Sequence, residues 1–208
     1  MHPALPAIAF LLCAFHFALP AQQAQPNAET NRIATTLVVA SPEQPPLAAV
    51  SISYGQATWR DEYDAVLPPP AGNYMRLGVG WWTTLETIGP IEIGGVRIEA
   101  GSYYLGMMTD AEGVFSLLVF DSKKTMKARL LPATTALYRG DVKPDLKLPM
   151  VFAKNSLPAV VGKLQIELAA VDGDAKLGTL SIRWGKHRLS AAMRLLPDAD
   201  KVPTAGGK

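Results

Sequence analysis

Two pairs of adjacent residues, Trp59-Arg60 and Trp81-Trp82, place indole rings next to a positive charge or next to each other. Indole and phenol rings stack on sugar rings and other flat ligands, and an arginine can hold a carboxylate or phosphate through two parallel hydrogen bonds. The sequence therefore predicts a surface that binds a small molecule, a glycan or a protein partner. Its candidate residues are Trp59, Arg60, Arg76, Trp81, Trp82 and Tyr103.

The same residues also have a structural interpretation. Because side chains alternate between the two faces of a strand, one member of the Trp81-Trp82 pair is expected to be buried and the other to face outward. Tyr103 or its neighbour is expected to fill part of the core. Arg76 can pair with an acid of the segment 61–64 instead of with a ligand, and an exposed pair of that kind contributes only ~0 to 1 kcal/mol.

Catalytic and metal-binding chemistry has less support. His187 is the only histidine beyond the first 21 residues, whereas zinc and non-haem iron sites need several imidazoles. No G-x-S-x-G sequence occurs, so we expect His187 to lie against Trp184 rather than to act in a triad. The acidic runs 61–64 and 172–174 each resemble calcium loops, but neither has a full set of oxygen ligands. Nothing in the sequence marks a pair of facing hydrolase carboxylates. No catalytic residue, metal ligand or cofactor is predicted.

The chain begins with a segment that resembles a secretory signal. An apolar run over residues 7–19 precedes Pro20 and Ala21, and cleavage is expected near Ala21. The run is shorter than the ~20 residues of a helix that crosses a bilayer, so no membrane span is expected after cleavage. Cys13, the only cysteine, lies within this run. After cleavage the protein would therefore have no thiol for disulfides or metal ligation. A periplasmic or secreted location is predicted.

The remaining composition predicts one folded domain. We expect a signal peptide over 1–21, a flexible polar leader over 22–31, a domain over 32–196 and a disordered tail over 197–208. The chain has 20 Lys and Arg against 18 Asp and Glu, a net charge of +2, and its basic residues are scattered. Nucleic acid is therefore not an expected partner.

Within the domain, apolar residues recur at every second position, which is the period of a half-buried strand. Residues 50–54 and 164–168 show this alternation, and 121–131 is the segment that could form a short helix. Strands and turns follow one another at short spacing, which is typical of an antiparallel all-β fold. The prediction is a two-sheet antiparallel β-sandwich with at most one short helix.

Two hairpins have predicted registers. Two glycines supply the positive φ angles of a tight turn between 91–93 and 96–98, which places these segments opposite each other. A second turn at 185–186 sets Arg183 against Arg188. Like charges opposite each other slightly destabilise a hairpin unless an acid or anion lies nearby.

Several of these motifs resemble one family of exported bacterial proteins. The sequence R-L-G at 76–78, T-T at 83–84 and A-G-S-Y-Y-L at 100–105 are similar to the domain of unknown function 2911 (DUF2911) family, and the similarity covers most of residues 48–195. The resemblance implies an exported β-sandwich and brings no established activity. Where that family has Trp, Asn, Glu and Ala, this chain has Met75, Gly80, Trp81 and Trp82. An aromatic platform thus replaces a polar Asn-Glu pair.

The functional hypothesis is an exported non-catalytic β-sandwich that binds a small molecule, a glycan or an envelope protein. The first alternative is a hydrolase that uses carboxylates of the segment 61–64. The second alternative is a purely structural scaffold within the cell envelope. The binding hypothesis requires an exposed tryptophan and tolerates the loss of any single acid. The hydrolase hypothesis requires two facing acids and a pocket.

Overall fold

β-strands make up most of the chain that the structure describes. The computed structural model describes residues 32–39, 48–132 and 141–196, so the predicted signal peptide, leader and tail lie outside the described residues. The strands are β1 (Arg32–Val39), β2 (Ala48–Gly55), β3 (Tyr74–Arg76), β4 (Thr83–Thr87), β5 (Ile91–Ile93), β6 (Val96–Ile98), β7 (Gly101–Thr109), β8 (Phe115–Asp121), β9 (Leu146–Ala153), β10 (Val161–Val171), β11 (Asp174–Gly185) and β12 (His187–Leu195). A 3-10 helix spans Asp61–Ala65 and one short α-helix, α1, spans Ser122–Lys127. No helix in these ranges is long and apolar enough to cross a membrane.

The strands form one antiparallel sheet that is nearly closed into a barrel. Its order is β1-β2-β4-β7-β8-β9-β12-β11-β10, while β3 pairs with β7 and the β5-β6 hairpin pairs with β12. The prediction of an antiparallel all-β fold with one short α-helix is confirmed, but the prediction of a sandwich of two separate sheets is not. The physical reason is β9, which pairs with β8 through 146–150 and with β12 through 151–153 and so joins the two halves.

The predicted period and registers are reproduced in the strands. Alternate residues of β2 and β10 are buried, and 91–93 lies opposite 96–98 as the two-glycine turn requires. Arg183 lies opposite Arg188. An acid does lie beside this like-charge pair, since Glu167 Oε2 accepts from Arg183 Nη2 at 2.7 Å. The predicted short helix is also present, because α1 falls within 121–131.

Two apolar clusters cover the two faces of the middle of the sheet. Leu117 and Val119 of β8 belong to the large interior cluster, whereas Leu118 and Phe120 belong to a smaller cluster on the opposite face. That outer cluster consists of Tyr74, Trp82, Tyr104, Leu118 and Phe120. The middle strands are therefore buried on both faces, which explains the unbroken apolar run at 117–120 of β8.

The two edges of the sheet approach each other beside Tyr54. This residue is 2 % exposed, and its hydroxyl accepts from the Ile166 N–H at 2.8 Å and lies 3.4 Å from the Ile166 carbonyl. Further along, the Leu168 N–H donates to Thr35 Oγ1 at 3.3 Å, and the Leu164 N–H donates to the Ala57 carbonyl at 2.8 Å. Side chains and backbone of the first two strands thus satisfy polar groups along the edge of β10.

Replacing Tyr54 with Phe is expected to lower the free energy of unfolding by about 1–3 kcal/mol at neutral pH, because the Ile166 N–H loses its acceptor. Burial raises the pKa of the Tyr54 phenol above its ordinary value, against the opposing effects of the Ile166 hydrogen bond and the Arg183 charge. As the pH rises, the unfolded chain therefore loses the Tyr54 phenol proton at a lower pH than the folded protein does. The free energy of unfolding that the protonated Tyr54 phenol contributes to the wild type is fully present below about pH 10 and is lost as the pH rises further. Tyr54→Phe has no phenol to titrate, so the difference in free energy of unfolding between the wild type and Tyr54→Phe should become smaller above about pH 10.

Urea unfolding at neutral pH and at about pH 10.5 measures both effects. Tyr63→Phe is the matched control, because the Tyr63 hydroxyl makes no hydrogen bond to any residue that the structure describes. It should change the free energy of unfolding by less than about 0.5 kcal/mol. Equal losses for Tyr54→Phe and Tyr63→Phe would show that the Tyr54 hydroxyl does not hold the sheet edges together.

Candidate functional site

A cleft opens where the chain leaves the sheet after β2. On β7, residues 101–105 pair with β4 and residues 106–108 pair with β3. The segment after β2 crosses to β10 instead of following β3, and the Trp59 N–H donates to the Gly162 carbonyl at 2.8 Å. Among the described strands β3 therefore pairs with β7 alone. The space between β3 and the crossing segment is a cleft of about 680 Å³.

Three basic side chains line this cleft: Arg60 on the crossing segment, Arg76 at the end of β3, and Lys163 on β10. Arg76 is half-buried and the other two are exposed. Within the described ranges, the side chains of Arg76 and Lys163 have no hydrogen-bond or ion-pair partner. Arg60 lies 3.7 Å from Glu62, in a pair that is exposed on both sides. No Asp or Glu is among the described lining residues, so the cleft has a positive potential.

The floor of the cleft is apolar. It is formed by Leu67, Met75, Met107, Leu164 and Trp184. Met75 and Met107 are directly opposite each other in the antiparallel pairing of β3 with β7. Beneath them lies a small void of about 20 Å³. The floor residues also line this void, together with Phe152, Ile182, His187 and Leu189.

An aromatic cluster supports one side of the cleft. The ring centroids of Trp59 and Trp184 are 5.1 Å apart at an interplanar angle of 87°, and those of Tyr63 and Trp184 are 4.8 Å apart. Trp184 Nε1 donates to the Ala57 carbonyl at 3.0 Å, which fixes the indole. A Cβ at Gly185 would lie 2.6 Å from three ring atoms of Trp59, and Gly185 has a φ of +61°. Only glycine satisfies both conditions without a shift of the ring.

His187 lies beneath this cluster and is 3 % exposed. Its Nε2 is 2.7 Å from Asp64 Oδ1, and its Nδ1 accepts from the Asn155 N–H at 3.4 Å. Because Nδ1 accepts, the hydrogen-bond pattern assigns the proton of the neutral ring to Nε2, which donates to the carboxylate. Both nitrogens are thus occupied, and His187 presents ring carbons to the small void. Trp184 lies directly opposite His187 in the register of the hairpin, as expected, and the imidazole also packs against Trp59 and Phe152 at centroid distances of 5.5 and 5.7 Å.

The structure brings part of the predicted binding set together. Arg60 and Arg76 both line the cleft. Trp59 does not line it but packs against Tyr63, which does. The alternative in which Arg76 pairs with an acid of 61–64 is wrong, because the Arg76 side chain has no partner among the residues that the structure describes.

The other predicted residues lie away from the cleft. Trp82 is the buried member of its pair, 1 % exposed and stacked on Tyr104 at 5.2 Å, so it cannot contact a ligand. Trp81 is the outward member, with 50 % of its surface exposed. Tyr103 is half-buried on β7, and its hydroxyl donates to the Glu99 carbonyl at 3.0 Å. The predicted aromatic platform is thus a single exposed indole.

Several residues in or beside the cleft were not among the predicted ones. Lys163 and Trp184 come from strands far along the chain from Arg76, and no spacing in the sequence relates them. Asp64 was considered only as an acid of a short run, and its hydrogen bond to His187 joins residues separated by 123 positions. The only local signal was the Gly185-Lys186 turn, which places Trp184 opposite His187.

Fold and cleft define a nearly closed, antiparallel β-sheet protein with a basic cleft over an apolar floor. Comparison of the chain with protein-family models, with curated proteins and with solved structures finds no match. The DUF2911 resemblance therefore stays a prediction, and function has to be inferred from the cleft itself.

Replacing Gly185 with Ala is expected to lower the free energy of unfolding by about 2–4 kcal/mol, because the methyl group meets the Trp59 ring and the positive φ is strained. Gly173→Ala is the matched control. Gly173 has a φ of +84° with nothing within 4 Å of the added Cβ, so only the backbone strain remains, about 1 kcal/mol. Urea unfolding and tryptophan fluorescence measure the difference. Equal losses for the two variants would contradict the fixed position of Trp59.

Proposed function

We propose that this chain is a non-catalytic binding protein whose cleft takes a small organic anion with an apolar body. The observation that supports the proposal is the placement of Arg60, Arg76 and Lys163 above an apolar floor, with no acid among the described lining residues. A carboxylate or phosphate would accept hydrogen bonds from the guanidinium of Arg76. The apolar body of the ligand would then cover the floor and remove both surfaces from water.

Arg76 is central to this proposal because it is half-buried and unpaired within the described ranges. A charge that is partly removed from water without a counter-ion has lost part of its hydration, so an incoming anion restores a favourable interaction. The exposed Arg60 and Lys163 contribute less to affinity, because solvent screens them, and more to the attraction of the anion.

The two alternatives have weaker support. A carboxylate-dependent hydrolase needs two acids that face each other across a cleft. In the segment 61–64, Glu62 lies beside Arg60 and Asp64 hydrogen-bonds to His187, so these carboxylates are engaged in different contacts. A purely structural scaffold does not account for a half-buried arginine at the mouth of a cleft with no partner among the residues that the structure describes. A glycan would be expected to stack on exposed indoles, and Trp81 lies outside the cleft.

We also propose that the protein is exported to the periplasm or secreted. The apolar run at 7–19 followed by Pro20 and Ala21 supports this proposal, and so does the confinement of the single cysteine to that run. Membership of the DUF2911 family is a further proposal, supported by the motifs at 76–78, 83–84 and 100–105.

Isothermal titration calorimetry with octanoate and octylammonium tests the charge requirement, because the two probes share one aliphatic chain and differ in the sign of the head. Octanoate is expected to bind at least about tenfold more tightly than octylammonium. Arg76→Gln is expected to weaken octanoate binding by about tenfold, because a charge-assisted hydrogen bond is lost. Equal affinity of the two probes for the wild type would overturn the proposal.

Arg188→Gln is the matched control for Arg76→Gln. Arg188 is exposed on β12 and does not line the cleft, yet its substitution removes the same charge. Octanoate affinity should change by less than about twofold, the size of a long-range, screened effect. A similar loss in both variants would mean that octanoate senses only the net charge of the protein, which contradicts a specific site in the cleft.

A further inference from the structure

We infer that the ligand of the cleft is a single-chain amphiphile whose aliphatic chain passes between Met75 and Met107 into the interior of the sheet. The inference rests on the proposed function, since the anionic head is held by the cations at the mouth. It adds the chemical class of the ligand and a second, interior part of the site. The shared chemistry is an unbranched hydrocarbon chain with one anionic group, which a fatty carboxylate and an alkyl phosphate both provide.

The floor of the cleft is the roof of a second apolar space. Leu67, Leu164 and Trp184, with the two methionines, line the cleft on one side and the small void on the other. Only side chains therefore separate the cationic mouth from the inner space.

The separating side chains are well suited to move. Met75 and Met107 are cross-strand partners on β3 and β7, and Met75 is half-buried at the floor of the cleft. Methionine is unbranched, with three rotatable bonds, and adapts to different shapes of apolar neighbour. The void beneath them measures about 20 Å³, room for about one water molecule, so a chain enters only when the thioethers move aside.

The inner space offers a chain only apolar contacts. Phe152, Ile182 and Leu189 line it, and the remaining lining residue is His187. Both His187 nitrogens are engaged, one with Asp64 and one with the Asn155 N–H, so the imidazole presents carbon atoms to the void. A polar or branched tail would find neither hydrogen-bond partners nor width there, whereas methylene groups would be removed from water.

The test is calorimetric titration of the full chain with butanoate, hexanoate, octanoate and decanoate, each below its micelle concentration. Affinity is expected to rise by about fourfold per added methylene as the chain lengthens, which is the factor for burial of one CH₂ group. Decyl phosphate, titrated beside decanoate, identifies the preferred head. Equal affinities across the carboxylate series would overturn the interior chain but leave an anion site at the mouth. Failure of every anion to bind would overturn the proposed function as well.

Leu189→Phe places a larger side chain in the inner space and should flatten the chain-length series above hexanoate, with butanoate affinity unchanged. Because this variant can fail to fold, a second measurement uses the wild type with methyl-labelled methionine. Decanoate should shift the methyl resonances of Met75 and Met107, assigned through Met75→Leu and Met107→Leu, and butanoate, which reaches only the floor of the cleft, should shift them much less. Shifts of equal size with both ligands would contradict passage of the chain between the two methionines.

Discussion

The hydrogen bonds between the first two strands and the edge of β10 decide where the sheet closes and where it stays open. The Tyr54 hydroxyl engages the backbone of Ile166, and the crossing segment after β2 bonds to 162–164 through its own backbone. The chain that follows β2 therefore cannot lie beside β3. The cleft is a direct consequence, since the same few bonds that satisfy one edge leave the side of β3 open to solvent.

Local features of the fold follow from sequence because they depend on neighbours in the chain. Two glycines at 94–95 adopt the positive φ that their turn needs, and the alternation of 50–54 and 164–168 sets one face of each strand. Closure is different in kind. It depends on the Tyr54 hydroxyl meeting a backbone group 112 residues further on, and on β9 dividing its pairing between two strands. Neither leaves a local signal, so period and turn chemistry alone indicate two separate sheets.

The candidate site shows the same division. Trp59-Arg60 and Arg76 stood out by residue type, and the structure places them around one cleft or directly behind it. Lys163 did not stand out, because an isolated lysine on an alternating strand is an ordinary solvent-facing residue. Residue type also made Trp82 a candidate for ligand binding, although its ring is stacked on Tyr104 in the outer apolar cluster. Only the three-dimensional path of the chain separates these two uses of an indole.

The charges and the apolar surfaces at the cleft together support the proposal that an amphiphile binds there. Core residues such as Leu67 and Leu164 are buried because the sheet folds around them, yet they also form the floor of an opening about 680 Å³ in volume. Arg76 stands at that opening without a described partner, while Asp64 in the adjacent 3-10 helix is bonded to His187. Asp64 is thus engaged with His187, and under the proposed function the Arg76 guanidinium is available to an anion from solution. An apolar floor and an unpaired cation together fit an amphiphile better than they fit either a purely polar or a purely apolar ligand.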